Sequence, residues 1–129
     1  MKKVICDTYH ASAVIGLQKG YSDEMLTMEA FRAALLKAQA ILKDNTGTLL
    51  SVKLTPCEIV FLGQEEPSVT LEFINYPRFP LPDEQWKQGV LSLTEHLMEL
   101  LDQNRVVVVF PGQTVMLEKS SSIDPRIRL

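Results

Sequence analysis

The sequence predicts an α/β fold of the α+β kind, in which two tandem β-α-β units form a mixed sheet with two helices on one face. Three observations predict it. Two segments show the three- and four-residue spacing of apolar residues that is typical of helices, β-type segments flank both of them, and turn residues separate the elements. Units of this kind cross over right-handed, which puts both helices on the same face of the sheet.

The length of 129 residues suggests one domain, long enough to bury a core without disulfides or a metal. Hydrophobic residues make up 46% and charged residues 22%, as in an ordinary globular protein. We expect a single α/β domain over residues 1–119. The polar segment SSSIDPRIRL, residues 120–129, is expected to be a loosely ordered C-terminal tail.

In the first half, the β-rich segment Lys3 to Tyr9 is the predicted first strand, and His10 to Gly20 is a predicted loop with a strand or turn at SAVIGL as the alternative. The first helix starts after Ser22 or after Thr27 and ends near Lys43, before the stop signal DNTG. Its apolar stripe consists of Met28, Phe31, Leu35, Ala38 and Leu42.

Two alternating segments, TLLSVKLTPCEIVFL and SVTLEFINY, predict an antiparallel pair of strands joined by a short turn. Asp83 is the predicted N-cap of the second helix. The stripe of that helix consists of Trp86, Val90, Leu93, Leu97 and Leu100. The order β, α, β, β, α, β and a short β is ferredoxin-like or nearly so.

The segment RVVVVFPGQTVMLEK, Arg105 to Lys119, does not alternate as a half-exposed strand should. A run of four valines predicts a strand that is covered on both faces. The two helices can cover one face only, so the other face predicts a contact with another subunit. Pro111-Gly112 predicts a tight turn, after which Thr114 to Glu118 pairs back.

The segments EPSVTLEF and RVVVVFPGQTVMLEK, with a helix between them, resemble the tautomerase superfamily of migration-inhibitory-factor-like proteins, in particular a small uncharacterised bacterial branch. The resemblance covers roughly residues 48–119. It implies a trimer in which the sheets line an inner barrel, and catalysis by an N-terminal proline that acts as a base or a nucleophile.

Position 2 of this chain is lysine. The catalytic proline of the superfamily is therefore not carried over. An enzyme with this fold would need another base. The candidates near the predicted first strand are Lys2, Lys3, Asp7 and His10, since polar residues at a strand end beside a loop are common in sites.

Other chemistries are disfavoured. Two histidines rule out a His-rich zinc site, and the six scattered glycines match no nucleotide fingerprint, so we expect no metal and no cofactor. A net charge of −3 without a dense basic cluster argues against nucleic acid. We expect no membrane span, no signal peptide, a cytoplasmic location, and reduced, buried thiols at Cys6 and Cys57.

The candidate interface residues are Tyr76, Arg78 and Phe79 in the segment YPRFP and, on the last two strands, Val107, Val109 and Val115. Three functions stay open. In the first, the chain is a homo-oligomer, with a trimer favoured, that has lost the proline mechanism and binds a small ligand or a protein. It is alternatively a tautomerase- or isomerase-type enzyme with a different base, or a monomeric partner-binding protein of the immunity or chaperone type.

Overall fold

The computed structural model describes all 129 residues, Met1 to Leu129, as five strands and two helices. The elements in chain order are β1 (Ser12–Gly16), α1 (Met28–Thr46), β2 (Ser51–Phe61), β3 (Gln64–Ile74), α2 (Asp83–Leu100), β4 (Arg105–Phe110) and β5 (Gln113–Glu118). The predicted order of elements is confirmed.

The five strands form one sheet in the order β2-β3-β1-β4-β5, and every neighbouring pair is antiparallel. This confirms the ferredoxin-like α+β fold but corrects the expectation of a mixed sheet. The crossover from β1 through α1 to β2 leaves a gap that β3 fills, and the crossover through α2 leaves a gap that β1 fills. The two β-α-β units therefore interleave, and strands joined by a helix are never neighbours.

The first strand is Ser12–Gly16, and the prediction of a strand over Lys3 to Tyr9 is wrong. Val4 and Ile5 have high β propensity, but both are exposed and pair with no strand. The segment SAVIG pairs with β3 on one side and β4 on the other. Pairing on both sides outweighs local propensity here, because propensity reflects packing against neighbours.

Both helices begin close to the predicted positions. Thr27 caps α1, its hydroxyl accepting a hydrogen bond from the backbone N–H of Ala30, and Gly47 ends this helix in the left-handed conformation. Helix α2 begins at Asp83 with Pro82 in the capping position and no side-chain cap. Neither helix combines the length and the apolar character that a membrane span requires.

Two-residue turns close both hairpins. Leu62 and Gly63, with φ of 43° and 98°, join β2 to β3, and Pro111-Gly112 joins β4 to β5, with Gly112 at a φ of 77°. The second turn confirms the tight turn predicted from the Pro-Gly pair. It also fixes the register in which Val107 lies opposite Met116.

The core lies between one face of the sheet and the two helices. Strand residues such as Ile15, Leu71 and Val108 are fully buried there against Phe31 and Trp86. The valine strand does alternate once folded: Val106 and Val108 are buried, whereas Val107 and Val109 are 39% and 47% exposed. Helices therefore cover one face, and the opposite face of the sheet, hereafter the open face, has no covering layer within the chain.

The C-terminal tail is polar, but it is not loosely held. Asp124 is only 3% exposed, and the backbone N–H of Arg128 donates to the carbonyl of Leu62 at 2.6 Å. Tyr21, in the loop after β1, also donates its hydroxyl to the carbonyl of Ser122 at 2.9 Å. The tail therefore packs back against the end of the sheet at which β1 finishes, and the expectation of loose order is corrected.

Candidate functional site

A cavity of about 500 Å³ lies on the open face at the end of β1. Its floor is formed by β1 and the start of β3, and its walls come from the loop after β1, the start of β4 and the C-terminal tail. Its polar or charged lining residues include Tyr21, Gln64, Glu66, Asn104, Arg105 and Asp124. This Glu66 cavity brings together residues that are distant in the sequence.

The carboxylate of Glu66 lies directly over Gly16, in the space where any larger residue would place its Cβ. Gly16 lies opposite Ser68 in the pairing of β1 with β3, one step along the open face from Glu66. A glycine inside a strand weakens it, so such a residue often marks a close approach by another group. Here that group is a carboxylate.

The tail fixes this carboxylate through the side chain of Gln64. One amide nitrogen, Nε2 of Gln64, donates to Glu66 Oε2 at 2.9 Å and to Asp124 Oδ2 at 3.1 Å. Arg126 Nη1 in turn donates to Asp124 Oδ2 at 3.0 Å, and its Nη2 donates to Asp23 Oδ1 at 3.1 Å. The hydrogen bond to Asp23 is the first cause of a raised pKa for Arg126, which stays charged.

Glu66 has no cationic partner in the chain. The guanidinium of Arg105 is paired with Glu118 at 2.7 Å, and that of Arg126 with Asp23 and Asp124. Burial, and then the charge of Asp124, raise the pKa of Glu66, while Arg126 opposes this shift. A partly buried carboxylate without a counter-charge favours a ligand that brings a positive charge or a proton.

The rest of the Glu66 cavity is largely apolar. Its hydrophobic lining residues are Val14, Tyr21, Ile59, Phe61, Val107, Val109 and Ile127. Mostly apolar walls with a few polar groups are typical of small-ligand sites, and the volume falls within their usual range of about 300–1,000 Å³. The aromatic rings of Tyr21 and Phe61 offer faces on which a flat heterocycle can stack.

A second, wider cavity of about 890 Å³ lies at the opposite end of β1 and is lined by residues 4–11 together with the ends of β3 and β4. Of the catalytic candidates, Asp7 and His10 line it and Lys2 and Lys3 do not. Ser12 and Val109 line both cavities, so the two are neighbours on the sheet. The structure thus brings Asp7 and His10 together in a cavity, apart from Glu66.

The N-terminal segment is held by two side chains. Asn75, 8% exposed, donates to the carbonyl of Asp7 at 2.8 Å and accepts from the backbone N–H of Leu81 at 3.0 Å. Tyr9 donates its hydroxyl to the carbonyl of Leu81 and packs on Trp86, with ring centroids 5.6 Å apart. Burial, followed by the charge of Asp7, raises the pKa of Tyr9.

The residues predicted for an interface occupy three places. Tyr76 and Phe79 are half exposed and stack at 6.2 Å in the exposed loop before α2, where Arg78 is exposed too. Val107 and Val109 lie on the open face. Val115 is partly buried and packs against the core.

The open face continues from Val107 to Met116, which is 52% exposed. The register of β4 with β5 explains why Val115 does not lie on this face. Val115 pairs with the buried Val108, so both side chains point to the helices.

The two thiols differ from the expected pattern. Cys6 is half buried and donates to the carbonyl of Asn75 at 3.3 Å. Cys57 is exposed on β2, where the hydroxyl of Thr70 donates to its sulfur at 3.2 Å. No group of three His, Cys, Asp or Glu side chains is placed to hold a metal ion.

The sequence does not indicate the Glu66 cavity, because Glu65-Glu66 lies between two predicted strands, where acidic residues fit an ordinary polar turn. In the structure the turn is Leu62-Gly63, and Glu66 lies within β3. One sequence signal was present: Gly16 follows Val14 and Ile15 in a strand-like segment. A glycine there indicates a close approach, but it does not say which residue approaches.

The chain is similar in fold to two solved structures, both of a phage SAM lyase. No family model matches the sequence, and no curated protein matches it. A phage SAM lyase in complex with S-methyl-5'-thioadenosine superposes with a TM-score of 0.68 at 18% identity, over 95% of this chain and 98% of the other. The phage SAM lyase in its apo state gives 0.65 at 18% identity, over the same shares. At this identity the similarity establishes the fold.

Proposed function

We propose that the protein binds S-adenosylmethionine, or a closely related cationic nucleoside, in the Glu66 cavity. The observation that carries the proposal is the carboxylate of Glu66, which lies over Gly16 in a largely apolar cavity without a cationic partner. The sulfonium of S-adenosylmethionine is a fixed positive charge attached to a nucleoside. It matches a site with one carboxylate that lacks a cationic partner and with aromatic walls.

Electrostatics support the choice of a cation. A charge–charge interaction is stronger in a partly buried site than in water, because the surrounding dielectric is lower. The burial that raises the pKa of Glu66 also means that its ionised form gains from a nearby positive charge. A neutral thioether with the same nucleoside lacks this attraction between its sulfur and the Glu66 carboxylate, so the site should prefer the sulfonium.

The similarity to the phage SAM lyase supports the choice of nucleoside. That protein has the same fold over nearly its whole length, and its bound ligand is S-methyl-5'-thioadenosine. This ligand is the fragment that remains when the carbon–sulfur bond to the amino-acid portion of S-adenosylmethionine is cleaved. Cleavage of S-adenosylmethionine is therefore the first reaction to test.

We also propose that the protein is a homo-oligomer, with a trimer favoured. Val107, Val109, Met116 and Ile74 expose apolar surface on one continuous face of the sheet, between 39% and 52% of each residue. Exposed apolar surface of this kind is typical of subunit contacts. A second copy over the open face would also close the Glu66 cavity from above.

Calorimetric titration at neutral pH tests the ligand. We expect S-adenosylmethionine to bind at least about tenfold more tightly than S-adenosylhomocysteine, whose sulfur is uncharged, which corresponds to about 1.4 kcal/mol. In Glu66→Gln the side chain keeps its size and loses its charge, so this preference should disappear. Glu65→Gln is the matched control, since Glu65 is the exposed neighbour on the same strand.

Chromatography of the same mixtures tests the reaction, by following the appearance of S-methyl-5'-thioadenosine. Its formation by the wild type and not by Glu66→Gln supports a lyase-type activity at this site. Binding without product leaves a binding protein. Equal affinity for the charged and uncharged nucleosides would refute the proposal.

A tautomerase- or isomerase-type activity in the second cavity is the alternative proposal. It is favoured by one observation, that Asp7 and His10 line the same 890 Å³ cavity. Enolisation of phenylpyruvate by the wild type, and its loss in Asp7→Ala and His10→Ala, would support it. A rate equal to that in buffer removes the activity for this substrate class. The resemblance to the tautomerase superfamily stays a prediction.

A further inference from the structure

We propose that Arg126 is a positioning residue, which holds the C-terminal segment 124–128 as a wall of the Glu66 cavity and, through Asp124 and Gln64, fixes the carboxylate of Glu66. This inference rests on the proposed function for its ligand. The hydrogen-bond network itself is independent of any ligand.

The guanidinium of Arg126 joins two parts of the chain. Its Nη1 donates to both carboxylate oxygens of Asp124, at 3.2 and 3.0 Å, and to Gln18 Oε1 at 3.0 Å. Its Nη2 donates to the carbonyl of Ser22 at 2.9 Å and to Asp23. A single side chain thereby connects the tail to the loop that follows β1.

Asp124 is the link from Arg126 to the site. Its side chain is 3% exposed, and it accepts from Arg126 on one side and from Gln64 on the other. The amide nitrogen of Gln64 faces two carboxylates, so it can only donate to both. The position of Asp124 thus determines the orientation of the amide that holds Glu66.

A buried carboxylate that loses its cationic partner destabilises the fold. Local unfolding of a short terminal segment avoids this cost by returning the carboxylate to water. In Arg126→Met we therefore expect residues 124–128 to leave the sheet end and carry Asp124 into solvent. The charged and titratable groups that line the cavity with Glu66 are then Tyr21 and Arg105, and Arg105 is already paired with Glu118.

The test without ligand is a carbon-detected NMR titration of the Glu66 carboxyl in the full-length chain. Release of the segment removes Asp124 and the burial that the tail provides, and it also removes the smaller, opposing effect of the Arg126 charge. The pKa of Glu66 should therefore fall toward its ordinary value in Arg126→Met. Arg126→Lys keeps the charge beside Asp124 and should restore part of the shift. Arg32→Met is the control, because Arg32 is an exposed arginine on α1 outside the cavity and its network.

The test with ligand is the affinity for S-adenosylmethionine. It should fall about tenfold or more in Arg126→Met, the size of effect known for residues that orient metal-binding carboxylates, and stay unchanged in Arg32→Met. An unchanged pKa of Glu66 in Arg126→Met would overturn the inference. So would a rise of that pKa, since Asp124 would then stay in place without Arg126. A wild type that binds no S-adenosylmethionine refutes the proposed ligand, and the titration without ligand still decides the role of Arg126.

Discussion

The carboxylate of Glu66 fills the space that the missing side chain of Gly16 leaves on the open face of the sheet. The two residues are 50 positions apart in the chain, and the pairing of β1 with β3 brings them together. Neither residue suggests a site by itself. Together they hold a carboxylate in a partly buried position where no cation of the chain neutralises it.

Gly16→Ala should remove the site while leaving the fold intact. The new methyl group overlaps only the flexible end of Glu66, which can swing toward solvent. Alanine in a strand gains about 0.5–1 kcal/mol over glycine, so we expect the free energy of unfolding to be unchanged or slightly higher. The affinity for S-adenosylmethionine should fall to that of Glu66→Gln. Denaturant unfolding and calorimetry check both values, and a large loss of stability with normal affinity would contradict the geometry.

Glu66 should make stability depend on pH with a definite sign. Its pKa is raised in the folded chain, so folding favours the protonated form. The corresponding stabilisation is complete below the unfolded-state pKa of about 4.3 and is lost as the pH rises through the folded-state pKa. Relative to Glu66→Gln, the wild type should therefore lose stability as the pH rises through this window.

Denaturant unfolding of both proteins over a series of pH values measures this difference. Other carboxylates change with pH as well, but they are common to both proteins and cancel in the comparison. Glu65→Gln, at an exposed position, should run parallel to the wild type. Parallel curves for the wild type and Glu66→Gln would show that the Glu66 carboxyl titrates normally.

The order of elements could be predicted from the sequence because hydrophobic spacing and turn residues are local signals. Thr27, Gly47 and the pair Pro111-Gly112 have the structural roles that such signals imply. The first strand could not be predicted. Lys3 to Tyr9 has the higher β propensity, but Ser12–Gly16 is the segment that β3 and β4 flank. Pairing on two sides is a tertiary property, and no local pattern encodes it.

The candidate site was harder to predict than the fold, because each of its contacts spans a long stretch of chain. Gln64 and Asp124 are 60 residues apart, and Arg126 and Gln18 are 108 apart. The sequence also makes the tail look like a loose polar end. The burial of Asp124 becomes visible only when the tail is seen against the sheet.

A charge on the open face should prevent the proposed assembly. Val107 is 39% exposed in the single chain, so Val107→Lys is tolerated by the fold but places an ammonium in the subunit contact. We expect the wild type to sediment as a trimer and this variant as a monomer. Glu95→Lys, on an exposed position of α2, is the control and should stay oligomeric. A monomeric wild type would refute the homo-oligomer.

Asn75 should contribute more to the position of the N-terminal segment than any other single side chain there. Asn75→Ala leaves the carbonyl of Asp7 and the backbone N–H of Leu81 without their partner, at a cost of about 1–3 kcal/mol for each group that stays buried. Tyr9→Phe removes one hydrogen bond and keeps the ring on Trp86, so about 1 kcal/mol is expected. Thr8→Ala, at an exposed position, is the control.

Denaturant unfolding ranks the three variants, and hydrogen exchange at one amide identifies the cause. The backbone N–H of Leu81 donates to Asn75 Oδ1, so it should exchange faster in Asn75→Ala than in Tyr9→Phe, where this bond is kept. Release of the segment also opens the wall of the second cavity that Asp7 forms. If Asn75→Ala is no less stable than Thr8→Ala, the segment is held by its apolar contacts, and the Asn75 hydrogen bonds contribute nothing measurable.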